Sequence, residues 1–148
     1  MLEESIRISV SLRLDKAREC LRDAESLLSS SSYASSANRV YYGIFHATQA
    51  VLNTIGFTAK KHSGNIAEFR NRFVKTGIFS EAHSDILGEA FKVRNKSDYD
   101  IFYVVAKSDV DKQLENAKVF LAAVEDYIET LKLPSKNTNE EIELEEIE

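Results

Sequence analysis

The sequence holds one cysteine, one proline, one methionine, five glycines and no tryptophan in 148 residues. A single thiol, Cys20, has no intrachain partner, which excludes a disulfide-stapled secreted scaffold and any cysteine-rich zinc or iron–sulfur module, and fits a cytosolic setting. The scarcity of Gly and Pro leaves few breaks, so the chain reads as long helical segments rather than frequent turns. No apolar run approaches the roughly 18 residues of a membrane span. The N-terminus MLEESIRISVSLRLDKAREC carries charges throughout and lacks the apolar stretch of a signal peptide, so a soluble, cytoplasmic chain without a membrane role is expected. Basic charge is also missing in bulk. Residues 135–148, SKNTNEEIELEEIE, set one Lys against six Glu and so carry the whole formal charge of −5, leaving 1–134 neutral. A neutral body lacks the basic excess of a general nucleic-acid binder, and leaves room only for a local basic patch.

What is present is enough apolar side chain for one core: 43% of residues are hydrophobic, with 8 Phe and 6 Tyr. That amount in a chain of this length fits one domain, not two. Apolar residues recur at helical spacing in consecutive blocks. Leu14, Ala17, Leu21, Ala24 and Leu28 mark a first helix over about 11–28, which the serine run 29–32 interrupts while offering N-caps to the next. A second helix is expected over 33–55 with Ala34, Ala37, Tyr41, Ile44, Thr48, Leu52 and Ile55 on its core side, and Gly56 as its stop. Residues 57–64 read as a loop. Ile66, Phe69 and Phe73 then form a short helix that Gly77 ends.

Ser80 is a candidate N-cap for a fourth helix, whose stripe Ala82, Ile86, Ala90 and Val93 runs to about Arg94. Ser108 and Asp111 suggest a capping box for the last helix, lined by Val110, Leu114, Ala117, Leu121, Val124, Ile128 and Leu131 and closed by Pro134. The expected fold is all-α, an up-and-down antiparallel bundle of four long helices plus a short one over 1–134. The acidic tail 135–148 is expected to be disordered.

Three histidines, His46, His62 and His83, stand far apart in sequence, with no HExxH or Glu-x-x-His pair, so neither a metal site nor a cofactor is expected. KKHSGN has one Gly and no strand-loop-helix context, which excludes a P-loop. Two places remain. Arg39, Tyr42 and His46 lie at i, i+3 and i+7 and project from one helical face, as a ligand patch or as an Arg paired to a neighbouring carboxylate beside two half-buried rings. The run VRNKSDYD (93–100) places Arg94 on a face with Ala90, Leu87 and His83, where a permanent cation must meet a carboxylate or a ligand phosphate. Asn95, Asp98 and Tyr99 add a donor, an anion and a phenol; the plainer alternative is a solvated helix end.

NRVYYGIFHATQAVL (38–52), AKKHSGNIAEFRNRFVKTGIFS (59–80) and FKVRNKSDYD (91–100), in that order, resemble the small prokaryotic HEPN-domain proteins over roughly residues 10–132. That family is named for nucleotide-binding domains of higher eukaryotes and prokaryotes. The resemblance implies a helical bundle that homodimerises, with its polar motif near the dimer junction. It adds Lys61 and His62 of the Lys-Lys-His-Ser-Gly loop to Arg39, Tyr42, His46 and Asp98 as candidate ligand contacts, with Arg94, Asn95 and Tyr99 as candidate catalytic residues.

Many members of the family are metal-independent ribonucleases whose motif is an Arg, a polar residue and, four to six residues on, a His. Arg94 and Asn95 match the first half, but the corresponding window reads Tyr99, Asp100, Ile101, and no His follows His83. Metal-free RNA cleavage needs a group that takes the 2′-hydroxyl proton near neutral pH, which imidazole does and a phenol with a pKa of about 10 does not. In the toxin branch the implied partner is a minimal nucleotidyltransferase, which can attach adenylate to a Tyr two positions beyond the motif His, a spacing Tyr99 does not match. Three readings stay open: a module that binds nucleotide or RNA and/or a nucleotidyltransferase, a ribonuclease toxin of a toxin–antitoxin pair, and a helical scaffold without ligand.

Overall fold

The computed structural model describes residues 3–58 and 60–131; Pro134 and the acidic segment 135–148 lie outside the described residues. The elements are α1 (Glu4–Ser29), α2 (Tyr33–Asn53), α3 (His62–Phe69) continued by a π-helical turn (Arg70–Val74), α4 (Glu81–Tyr99) and α5 (Lys107–Thr130). Among the described residues no helix is long and apolar enough to cross a membrane.

Contacts between helices set their directions. Ser36 Oγ donates to the Ala24 carbonyl at 2.7 Å and Asn53 Nδ2 to Ser9 Oγ at 3.3 Å, so the start of α2 meets the end of α1 and the two run antiparallel. The ion pairs Arg18–Glu125 and Lys118–Glu25 make α1 and α5 antiparallel as well. At one end Val93 clusters with Val110, and at the other the rings of His83 and Phe120 meet, so α4 and α5 also run oppositely. The result is the expected up-and-down bundle, with the short α3 laid against α2.

Helix α1 starts seven residues earlier than its stripe suggested, because Ile6 and Val10 carry the apolar face toward the N-terminus. Helix α2 is the central element and packs on α1, α3, α4 and α5, which is why Ala47 through Leu52 are buried on every side. The ends of its expected stripe, Ala34 and Ile55, are exposed, Ala34 beside an open cleft and Ile55 beyond the last residue of the helix, and Ala82 in the first turn of α4 is exposed too. Gly56 and Gly77 take φ of 71° and 82°, the left-handed conformation that ends a helix without a Cβ penalty.

The N-caps divide. Ser80 accepts a hydrogen bond from the His83 N–H, and His83 Nδ1 accepts from the Ser80 N–H, a capping box with His in the usual Glu position. Two expected caps do not form. Ser32 precedes α2 without a side-chain cap bond, and α5 begins at Lys107 behind Ala106, which places Ser108 inside the first turn instead of at its head. Helix α4 continues five residues past Arg94 to Tyr99, so the polar run that resembled a dissolving helix end is itself helical.

Candidate functional site

The site grows from two adjacent tyrosines on the central helix. Tyr41 is 1% exposed and faces the core, as its stripe requires. Tyr42, one residue on, turns toward the seam between α2 and α4, with the two rings edge to face at 5.2 Å. Arg94 of α4 lies over both, with Cζ 5.5 Å from the Tyr41 ring and 5.7 Å from the Tyr42 ring, and donates from Nη2 to Tyr42 Oη at 3.2 Å. Its Nη1 donates to Asn95 Oδ1 at 3.2 Å. Its Nε stands 3.0 Å from Asp98 Oδ2, one turn along, as an ion pair whose N–H is not aligned on the oxygen. Tyr99, 75% exposed, carries the Arg94 guanidinium over its ring at 5.7 Å.

Arg39, His46 and His62 converge on the same ring. Arg39 lies over Tyr42 at 5.1 Å and donates from Nη2 and Nε to Asn38 Oδ1 at 2.8 and 3.2 Å. Among the described residues no carboxylate pairs with it, so its expected acidic neighbour is replaced by an amide and an aromatic face. His46 touches the Tyr42 ring at 6.4 Å. His62, at the first turn of α3, stacks on Phe45 at 4.2 Å and meets the Tyr42 ring at 5.9 Å. Arg39 and Asp98 line a cleft of about 400 Å³ together with Asn38, Ser97, Leu27, Ala34 and Ser35. Lys61 is exposed at the N-cap of α3 next to His62 and joins none of these contacts.

Both imidazoles have one nitrogen committed. Arg13 of α1 donates from Nη1 to His46 Nδ1 at 2.9 Å; a guanidinium has only donors, so Nδ1 must be the acceptor and the proton sits on Nε2. Burial, then the charges of Arg13, Lys16 and Arg39, push the His46 pKa down to about 4, so the ring is neutral at pH 7. Tyr41 Oη lies 2.8 Å from His62 Nδ1. Burial raises the Tyr41 pKa and keeps its proton on, and donation to Nδ1 is what satisfies that hydroxyl in the core. His62 is therefore neutral with its proton on Nε2, and burial, then Arg94, lowers its pKa. Each imidazole offers a neutral N–H outward and keeps its basic nitrogen turned in.

Arg13 was not legible as a site residue, because it sits one position before the apolar Leu14 on a helix read only for its stripe. Tyr41 reads as core from its stripe and Phe45 carried no reading of its own; both stack on His62 and hold it at the site. Among the described residues no three His, Cys, Asp or Glu side chains converge to hold a metal ion.

The fold and site are those of a helical bundle whose central helix presents Tyr42 between two arginines. The HEPN domain family model matches residues 10–127, and the chain belongs to that family. It is 37% identical to a UPF0332 protein of Thermotoga maritima over 79% of this chain and 89% of that one. It is also 30% identical to the Methanocaldococcus jannaschii protein named "Putative toxin MJ0142", over 78% of each chain. A second protein of that organism, named "Putative toxin MJ0605", is 33% identical over 67% of this chain and 74% of its own length.

Proposed function

We propose that this chain is a binding module of HEPN type that takes a nucleotide or an RNA at the Tyr42 centre and does not cleave RNA on its own. The observation that carries the reading is the pair of committed imidazoles. A ribonuclease without metal needs a basic nitrogen facing the 2′-hydroxyl, and here the basic nitrogens of His46 and His62 accept from Arg13 and Tyr41. What remains around Tyr42 is mostly donors and cations, two imidazole N–H groups, the guanidiniums of Arg39 and Arg94 and the Tyr42 hydroxyl, with Asp98 as the one carboxylate lining the adjoining cleft. Tyr42 Oη accepts from Arg94, which leaves its own hydrogen free to donate to a ligand oxygen. Tyr99, exposed beside Arg94, supplies a ring on which a base can stack.

A partner of the minimal nucleotidyltransferase kind and a homodimeric state belong to the same proposal and follow from the family resemblance. The ribonuclease-toxin reading draws its support from the relatives named as toxins and from the nearness of His62 to Arg94. One experiment separates the two. The protein is incubated with mixed-sequence RNA in chelator, and binding is followed by fluorescence anisotropy while fragment ends are analysed. Micromolar binding without new ends is the expected result. Fragments with 2′,3′-cyclic phosphate ends that vanish in Arg94→Ala would establish the enzyme instead.

A further inference from the structure

Arg13 of α1 reaches His46 of α2, Arg39 of α2 reaches Cys20 of α1, and neither has an anionic partner among the described residues. Arg13 is partly buried and spends one N–H on His46 Nδ1, a neutral acceptor. Arg39 is partly buried and contacts the Asn38 amide oxygen, the Tyr42 ring and, at 4.0 Å, the Cys20 sulfur. Arg13 bonds His46, and Arg39 and His46 both lie against the Tyr42 ring, at 5.1 and 6.4 Å from its centroid, so the three side chains are linked through direct contacts. Arg94 differs, because Asp98 already offsets its charge. Of the carboxylates on this stretch of α1, Glu19 pairs outward with Lys16 at 3.8 Å and Asp15 with Arg18 at 3.1 Å.

Two partly desolvated guanidiniums without a counter-charge are costly unless an anion joins them, and a guanidinium presents paired N–H donors matched to phosphate oxygens. Between them His46 carries its proton on Nε2, an atom that has no partner among the described residues and is not sealed from solvent. A ring held neutral by Arg13 works as a fixed donor, which suits the third oxygen of a phosphate.

We propose that Arg13, Arg39 and the His46 Nε2–H form a second phosphate subsite on the α1–α2 seam, next to the Tyr42 centre, that holds a neighbouring phosphate of a bound nucleotide chain. The subsite extends the binding function proposed above to α1, which carries none of the motif residues. The two positions adjoin the same ring: Arg39 lies 5.1 Å and Arg94 5.7 Å from the Tyr42 centroid. The preferred ligand is then a chain with at least two phosphates, bound more tightly than a mononucleotide.

A fluorescein-labelled single-stranded 12-mer RNA is titrated at several NaCl concentrations against the parent, Arg13→Gln, Arg39→Gln, His46→Phe and Arg94→Lys. In parallel, sodium pyrophosphate at constant ionic strength is tested for thermal protection of each. Arg13→Gln and Arg39→Gln are each expected to weaken RNA about tenfold and to make the slope of log K against log salt shallower by about 0.7, one phosphate's worth for a single strand. His46→Phe keeps the ring packing; it is expected to weaken binding about threefold with the slope unchanged, since the lost donor is neutral. Arg13→Lys, which keeps the charge, should restore the slope and serves as the control for folding.

RNA that binds the parent and loses affinity in Arg94→Lys, but not in Arg13→Gln or Arg39→Gln, overturns the subsite and leaves the binding function standing. Pyrophosphate protection that needs Arg13, with no RNA binding, keeps the phosphate subsite and removes its assignment to a nucleotide chain. Neither RNA binding nor pyrophosphate protection in the parent overturns both.

Discussion

Arg94 is the residue on which two helices agree. An arginine held by a fully buried carboxylate would cost about 3–5 kcal/mol on truncation, because the stranded partner charge has nowhere to go. Asp98, however, is 32% exposed and one helical turn away, and the remaining partners of Arg94 are a phenol and an amide. Arg94→Ala is therefore expected to lower stability by only about 1–2 kcal/mol in urea unfolding, with a much larger effect on RNA affinity. Arg94→Lys keeps the fold and the charge but loses the planar fork, so weaker RNA binding at an unchanged melting temperature is the expected outcome. His46 makes a second prediction. Its folded pKa of about 4 lies below the ordinary 6.5, so between those values the unfolded chain binds a proton that the folded chain refuses. The stabilisation is complete above pH 6.5 and is lost as pH falls toward 4. Melting temperatures from pH 7.5 to 4.5 should fall less steeply in His46→Phe than in the parent, with a residual slope of the same sign from His62.

At the level of elements, the site depends on how closely α1 and α2 approach. Gly43 permits that approach: a Cβ there would stand 2.6 Å from Leu21 Cδ2, 3.0 Å from its Cγ and 3.4 Å from the Ala17 carbonyl oxygen. Gly43→Ala gains helix propensity but overpacks the seam, for a net loss of about 1–2 kcal/mol. Because Arg13 and His46 meet across that same seam, calorimetry on Gly43→Ala should show a melting point lower by about 2–4 °C per kcal/mol, and the pH response of His46 should weaken with it. Gly43 sits between apolar neighbours in a helix and carries no sequence mark of a close approach. The caps were half legible. Ser80 works because an extended residue precedes a run with His83 at the third position. Ser108 does not, because Ala106 is already extended and the helix starts one residue ahead of it.

Across the whole molecule, apolar surface is left uncovered at one end. Ile101, Phe102 and Val104 in the α4–α5 connection are 90%, 87% and 84% exposed, directly after Tyr99. Single exposed apolar residues are ordinary, but a run of this kind is where the proposed homodimer is expected to bury surface. It lies next to the Arg94 site, where the family resemblance sets the dimer junction. Light scattering at micromolar concentration is expected to give twice the 16.7 kDa chain mass, and Phe102→Asp with Val104→Asp is expected to give the monomer. A monomeric parent would remove the homodimer from the proposed function and leave the intrachain site intact.

Helix content and the core were determined locally and could be read from the chain. Leu14, Ala17, Leu21 and Ala24 on α1, and Val110 through Ile128 on α5, recur at the helical period because one face of each must leave water. Arg94 was readable as a candidate for a similar reason, since an arginine among apolar neighbours demands an anion whatever the fold, whereas Arg13 carried no such mark. That Arg39 and Arg94, 55 positions apart, bear on one tyrosine ring was settled only when α4 packed against α2. So was the state of the histidines. Which nitrogen of His46 or His62 carries the proton depends on what approaches the other nitrogen, and Arg13 and Tyr41 are brought there by the antiparallel seam of α1 and α2 and by the docking of α3 on α2. Periodicity reports which side of a helix is buried; the identity of the partner across the interface is a property of the packed bundle alone.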